Sequence, residues 1–327
     1  MLQKFNFAFI GIIMICHGAC KKDETSVRFE VLTINENINI HKTIFLNDSI
    51  GFACGGTMHQ YGAIFKTKDK GNNWKKVYSS NLWSVFDLHF INDSVGYACG
   101  DTLLLLTTKD KGESWQRYWF NQMPFHIVQR TAFKRFYFLN EKEFYITGGQ
   151  NFDAGIVYKT TNAGNSWKFD IFKNEIKGIT YPNADNGFIS GYGVIYKSTD
   201  AGLTYQLCSI KNDFFTSIHF KDENNGIAVG YNGGIYKSNN AGSSWSIIIK
   251  PNKAFEKRIH FNDLQFEDNN RGYAVGTNGL IMFTDDGGDS WKVAKKFCEE
   301  QFISITIIKN NEILISSENG KIYKVFF

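Results

Sequence analysis

The sequence predicts an all-β protein: a seven-bladed β-propeller of four-stranded antiparallel blades, with the last blade closed by the N-terminal strand. Three observations carry that prediction. An octapeptide, TKDKGNNW at Thr67, returns as TKDKGESW at Thr108, TTNAGNSW at Thr160, STDAGLTY at Ser198, SNNAGSSW at Ser238 and TDDGGDSW at Thr284. Its final aromatic recurs at a period near 40 residues, which marks a propeller or a solenoid. Around each copy lie four strand-like segments, and the last unit lacks one of them.

The strands of a unit follow in a fixed order. The first ends in an aromatic, as in FDLHF at Phe86, FTSIHF at Phe215 and NDLQF at Asn262. A turn with Asn or Asp leads to the second, as in GFACG, GYACG, GFISG, GIAVG and GYAVG, and a Gly-containing loop leads to the third, as in AIFKT, IVYKT, VIYKS, GIYKS and LIMFT. The octapeptide follows, and its aromatic opens the fourth, as in WKKVY and WSIII. Short runs of this kind, bounded by turn chemistry and repeated at even spacing, build a propeller blade. The seventh unit runs through ISITII, ILISS and GKIYKVFF and stops before any octapeptide. VRFEVLTI, Val27 to Ile34, has the alternation of a fourth strand and no unit of its own. Joining the two closes the ring and removes the open edges of an incomplete one.

In the octapeptide the acid or amide (Asp69, Asp110, Asn162, Asp200, Asn240, Asp286) can accept N–H groups of its own turn. The glycine two places on (Gly71, Gly112, Gly164, Gly202, Gly242, Gly288) suits a conformation that a Cβ opposes. The aromatics Trp74, Trp115, Trp167, Tyr205, Trp245 and Trp291 are expected to pack between blades. Asn replaces Asp in two copies, which a hydrogen-bond acceptor tolerates and a catalytic carboxylate does not.

These octapeptides match the Asp-box, S/T-x-D-x-G-x-x-W, of bacterial neuraminidase-type (BNR) repeats. Together with the G-Y-A-V-G and I-Y-K-T strands, residues 27–327 resemble the seven-bladed propeller family typified by the photosystem II assembly and stability factor. The resemblance implies an Asp-box at the turn between third and fourth strands with no catalytic part. It also implies an exported protein, in some members a lipoprotein.

At 327 residues, with 43% hydrophobic and 16% aromatic content, the chain has ample material for one large folded domain spanning 27–327. A net charge of +4, thinly spread, argues against nucleic acid as a partner. Residues 1–19 read as a signal peptide: Lys4, the apolar run FNFAFIGIIMIC and the small pair Gly18-Ala19. Cys20 after that pair resembles the modified cysteine of a bacterial lipoprotein, and 20–26 would be its tether; plain secretion is the other reading. A lipid anchor is then the only membrane attachment expected, placing the chain on the periplasmic or outer surface of the envelope. Cys54 and Cys99 take the same place in successive units, as small buried strand residues rather than a disulfide, and no zinc spacing occurs. No metal or cofactor is expected, and the protein is expected to be a monomer.

Two regions are candidate sites. First-strand polar residues line a propeller's channel, and Asp87, His89, Arg135, His219 and Asp263 make its mouth either a binding well or a wet wall. Two connections between blades carry costly aromatics and arginine: Trp119, Phe120, Phe125, His126 and Arg130 in the longer, Phe255 and Arg258 in the other. They either meet a partner or fold back onto the ring. A sialidase-like enzyme would need three converging arginines, and its Arg-Ile-Pro signature is absent among six arginines. The expected function is a non-enzymatic scaffold for an envelope or membrane protein; a carbohydrate-binding or glycoside-cleaving propeller is the alternative, with a glycan as ligand.

Overall fold

The structure, a computed structural model, describes residues 25–120, 131–210, 213–252, 259–309 and 311–327. Their strands form seven four-stranded antiparallel sheets, and among the described residues there is no helix. Six sheets are simple meanders. Blade one is typical: β2 (Ile40–Phe45) lies innermost, then β3 (Gly51–Thr57), β4 (Tyr61–Thr67) and outermost β5 (Lys75–Ser80).

The seventh sheet joins the two ends of the chain. Its order is β1 (Arg28–Thr33), β28 (Lys321–Phe326), β27 (Glu312–Ser317), β26 (Phe302–Lys309). Arg28 lies opposite Phe326 and Thr33 opposite Lys321, so the N-terminal strand supplies the fourth strand that the C-terminal unit lacks. Upstream, Thr25 bridges to blade six: its N–H donates to Val293 at 3.2 Å, and its carbonyl accepts from Lys295 at 2.7 Å.

The core is a ring of layers between blades. One layer sets Phe52, Cys54 and Ile64 of blade one against Val85, Leu88, Phe90, Leu106 and Trp115 of blade two, and the other layers repeat the scheme. Cys54 and Cys99 are both free and fully buried, and burial pushes both thiols well up. As small apolar fillers they suit strands with neighbours on both faces.

The octapeptides are turns held by their own hydrogen bonds. In the second copy the Thr108 hydroxyl donates to Asp110 at 2.7 Å and accepts from the buried Gly112 N–H at 3.0 Å, while Asp110 also accepts the Ser114 N–H at 3.0 Å. The residue before the glycine shares its left-handed backbone: φ is 62° at Lys111 and 71° at Gly112. Glycine is required at the second of these positions for space as well, since a Cβ there would fall 2.4 Å from the Phe52 ring. The acid and amide copies differ in one detail. The Ser114 hydroxyl donates to Asp110 at 2.6 Å, whereas the Asn162 amide donates to the Ser166 hydroxyl at 2.8 Å. A hydroxyl serves either way, which is why both residue types occur.

A third-strand lysine ties three of the blades to the next. Lys66 donates to the carbonyl of Lys111 at 2.6 Å, Lys159 to Ala201 at 2.7 Å and Lys237 to Gly287 at 3.1 Å, in each case just ahead of the next octapeptide's glycine. Blade two has Thr107 in that place and blade six, whose neighbour has no octapeptide, has Phe283. Phe327 fills the gap instead, its ring 5.1 Å from Phe283 and 4.9 Å from Tyr273.

Replacing Thr108 with Val leaves the buried Gly112 N–H unpaired and should cost about 2 kcal/mol in urea unfolding, whereas Asp110→Asn should cost under half of that. Deleting residues 28–33 should abolish soluble folding. A truncated protein that melts like the full chain would contradict the closure described here.

Candidate functional site

Each innermost strand begins with a buried apolar residue and then slips register against its neighbour by one residue. The slip lies between Ile40 and Lys42, Val85 and Asp87, Phe133 and Arg135, and Phe261 and Asp263, with equivalents in the other three blades. Such bulges bend a strand and re-aim its side chains. Repeated around the axis, they bring Lys42, Asp87, Arg135, Ser217 and Asp263 into one network inside the channel.

Arg135 crosses from blade three to blade six. Its guanidinium lies 2.8 Å from the Asp263 carboxylate and donates to the Ser217 hydroxyl at 2.9 Å. Asp263 also accepts the N–H groups of Leu264 at 2.9 Å and Ile305 at 3.0 Å, and the Ser217 hydroxyl at 3.0 Å. Burial works to raise Asp263, but the Arg135 and Lys42 charges and the donated N–H groups outweigh it, and the carboxyl sits below its usual range. Asp87 accepts from Leu88 at 2.9 Å and Phe136 at 2.8 Å, yet burial dominates and pushes its carboxyl up. Both acids are therefore engaged in holding neighbouring strands together. A cavity of about 290 Å³ remains beside this brace, with His41, Lys42 and Lys134 on its wall.

The histidines face between blades. His89 stacks on Phe138 of the next blade with centroids 3.9 Å apart, and His219 stacks on Phe266 of its next blade at 5.1 Å. Burial pushes both down to about 4, as it does His41, so they are neutral near pH 7. Among the described residues no group of three His, Cys, Asp or Glu side chains could hold a metal ion.

The turns between second and third strands and the connections between blades share one face, opposite the octapeptides. Here Trp119 is 68% exposed, and the Arg117 guanidinium lies between its ring at 4.1 Å and that of Trp83 at 4.2 Å. Phe120 turns inward, with Tyr158 at 5.0 Å and Trp167 at 5.8 Å. Phe125, His126, Arg130, Phe255 and Arg258 lie outside the described residues, as does Cys20. On the far side of the mouth runs a row of rings that the sequence did not single out. Phe152 and Tyr192 are 4.9 Å apart, Tyr192 and Phe214 5.3 Å, Phe214 and Tyr231 6.2 Å, and Tyr231 and His260 3.7 Å. Phe152, Tyr192 and Tyr231 each follow or precede a glycine or asparagine turn and are exposed. An aromatic at the tip of a polar turn was the available signal.

Residues 79–211 and 252–323, well over half the chain, match the family described as photosynthesis system II assembly factor YCF48. The chain belongs to this family. A solved YCF48 bound to D1 peptide has a TM-score of 0.69 at 16% identity, over 91% of this chain and 95% of that one. YCF48 from Cyanidioschyzon merolae has 0.67 at 14%, over 90% and 98%. A GH74 xyloglucanase from Xanthomonas campestris has 0.63 at 10%, over 90% of this chain and 53% of the enzyme. At these identities the likeness shows the fold. No curated protein matches the sequence. Membership of the YCF48 family favours a binding role over a catalytic one. Within this YCF48-family chain the described arginines, Arg28, Arg117, Arg135 and Arg271, have separate neighbours: Phe326, a tryptophan pair, Asp263 and Asp285.

Two measurements probe the channel. Arg135→Met strands the buried Asp263 carboxylate and should destabilise the protein by about 3 kcal/mol, read by denaturant unfolding. The three histidines are held near 4 against an ordinary value of about 6.5, so the unfolded chain takes up their protons first. Their contribution to stability is complete above about pH 6.5 and is lost as pH falls toward about 4. Melting temperature should fall across that window, and less steeply in His89→Phe/His219→Phe.

Proposed function

We propose that this protein is an exported, lipid-anchored scaffold that binds a protein partner through the face carrying its inter-blade connections, and that it is not an enzyme. The observation that carries the reading is the row Phe152, Tyr192, Phe214, Tyr231 and His260, with the Trp83–Arg117–Trp119 stack on the same face. Exposed aromatics and arginine held on a rigid frame are what protein interfaces use as anchors. A solved YCF48 bound to D1 peptide gives a relative of this fold that takes a polypeptide. Anchoring rests on the leader-like residues 1–19 and on Cys20, with 20–26 as tether. The partner is an envelope or membrane protein, in keeping with assembly work.

The alternative, a glycan-binding or glycoside-cleaving propeller, draws on the xyloglucanase likeness alone. Against it, Asp87 and Asp263, the acids on the wall of the channel cavity, both spend their oxygens on backbone N–H groups.

Trp119→Ala and Tyr192→Ala/Tyr231→Ala should each reduce crosslinking capture of the native envelope partner by about tenfold without lowering the melting temperature, in line with hot-spot aromatics. Cys20→Ala should move the protein from the membrane to the soluble fraction. Undiminished capture by both aromatic variants would refute the assigned face, and glycan-array binding or glycoside turnover lost in Asp87→Asn would favour the alternative.

A further inference from the structure

At the mouth of the channel the fold places two ammonium groups with no anion in contact. Lys134 and Lys177 occupy the same place on the innermost strands of blades three and four, within the bulge of each. The Lys134 Nζ stands 3.9 Å over the Phe86 ring and the Lys177 Nζ 4.5 Å over Phe214. Among the described residues these rings are their direct partners. The acids that face them are engaged elsewhere. Glu175 accepts the Phe152 N–H at 3.2 Å, and Asp101 accepts those of Ser84 at 2.9 Å and His59 at 2.8 Å through a single oxygen. Burial, then the Lys177 charge, lowers Lys134 to about 8, against the pull of Glu175, Asp101 and Cys99. Burial and Arg135 lower Lys177, with Glu175 opposing.

The mouth thus offers cations for an anion and, next to them, rings for apolar groups. A carboxylate attached to a polypeptide can use both, and a bare inorganic anion only the first. The aromatic row begins at Phe214, the ring under Lys177, and leads away across the face.

We propose that Lys134 and Lys177 bind a carboxylate of the partner polypeptide, from an acidic side chain or a chain terminus, at the channel mouth. Adjoining apolar residues of the partner then lie along the aromatic row. This rests on the protein-binding reading and names the chemistry that the partner must present.

The test uses the full-length protein and two bead-bound random heptapeptide libraries, identical except that in one every carboxyl is amidated. Retention should favour the free carboxyl library by about tenfold, the scale of one charged hydrogen bond. Lys134→Met/Lys177→Met should abolish that preference, while Lys134→Arg/Lys177→Arg should keep most of it, with unchanged thermal melts confirming folded variants. Equal retention by the two libraries, no retention by either, or displacement by inorganic phosphate but not by acetate would overturn the carboxylate site. If Tyr192→Ala/Tyr231→Ala weakens partner capture but the Met variant does not, the scaffold reading stands and this one falls.

Discussion

The six-rung ladder between β1 and β28 is the constraint on which the rest depends. A blade on its own is a small sheet with two apolar faces, and its stability comes from being wedged between neighbours. In a ring every blade has two neighbours only if the last meets the first. Here that meeting is covalently continuous on one side and hydrogen-bonded on the other. The seam is reinforced by Thr25 against blade six and by the Phe327 ring between blades six and seven. Three other junctions, from blade one to two, three to four and five to six, are instead held by a lysine reaching the next octapeptide.

The closed ring makes a rigid frame with two dissimilar faces. On the octapeptide face the turns satisfy themselves, with acid, hydroxyl and glycine hydrogen-bonded to one another. On the opposite face Trp119, Phe152, Tyr192 and Tyr231 are left in the open. Between them the channel is crossed by Arg135, whose charge is met by Asp263 on the far wall. Burying such a pair contributes little net stability, but removing one member is costly, so the brace fixes the relative position of blades three and six. A binding face spread over several blades keeps its geometry only if those blades do not shift.

The sequence announced the repeat, the blade count and the closing strand because these depend on local chemistry repeated at a fixed spacing. The acid-to-glycine interval and the missing fourth strand are both visible by eye. The third-strand lysine recurs in several units, yet its role depends on a carbonyl in the following blade, some 40 residues away. The bulges left no trace, since the inserted residue is as different as His41, Phe86, Lys134 and Lys177. Likewise Phe152, Tyr192 and Tyr231 sit in unremarkable turns, and only the circular arrangement of blades sets them side by side. Phe120 and Trp119 adjoin in sequence, but strand-like alternation sends one into the core and the other to solvent.

The shared final blade also has a kinetic meaning. β1 precedes β28 by the length of the whole ring, so the edge that completes the toroid waits unpaired while the blades between them are made. Contacts so distant in sequence form late and slowly. Until that seam forms, blades one and seven each lack a neighbour on one face, so the ring cannot gain its full packing blade by blade.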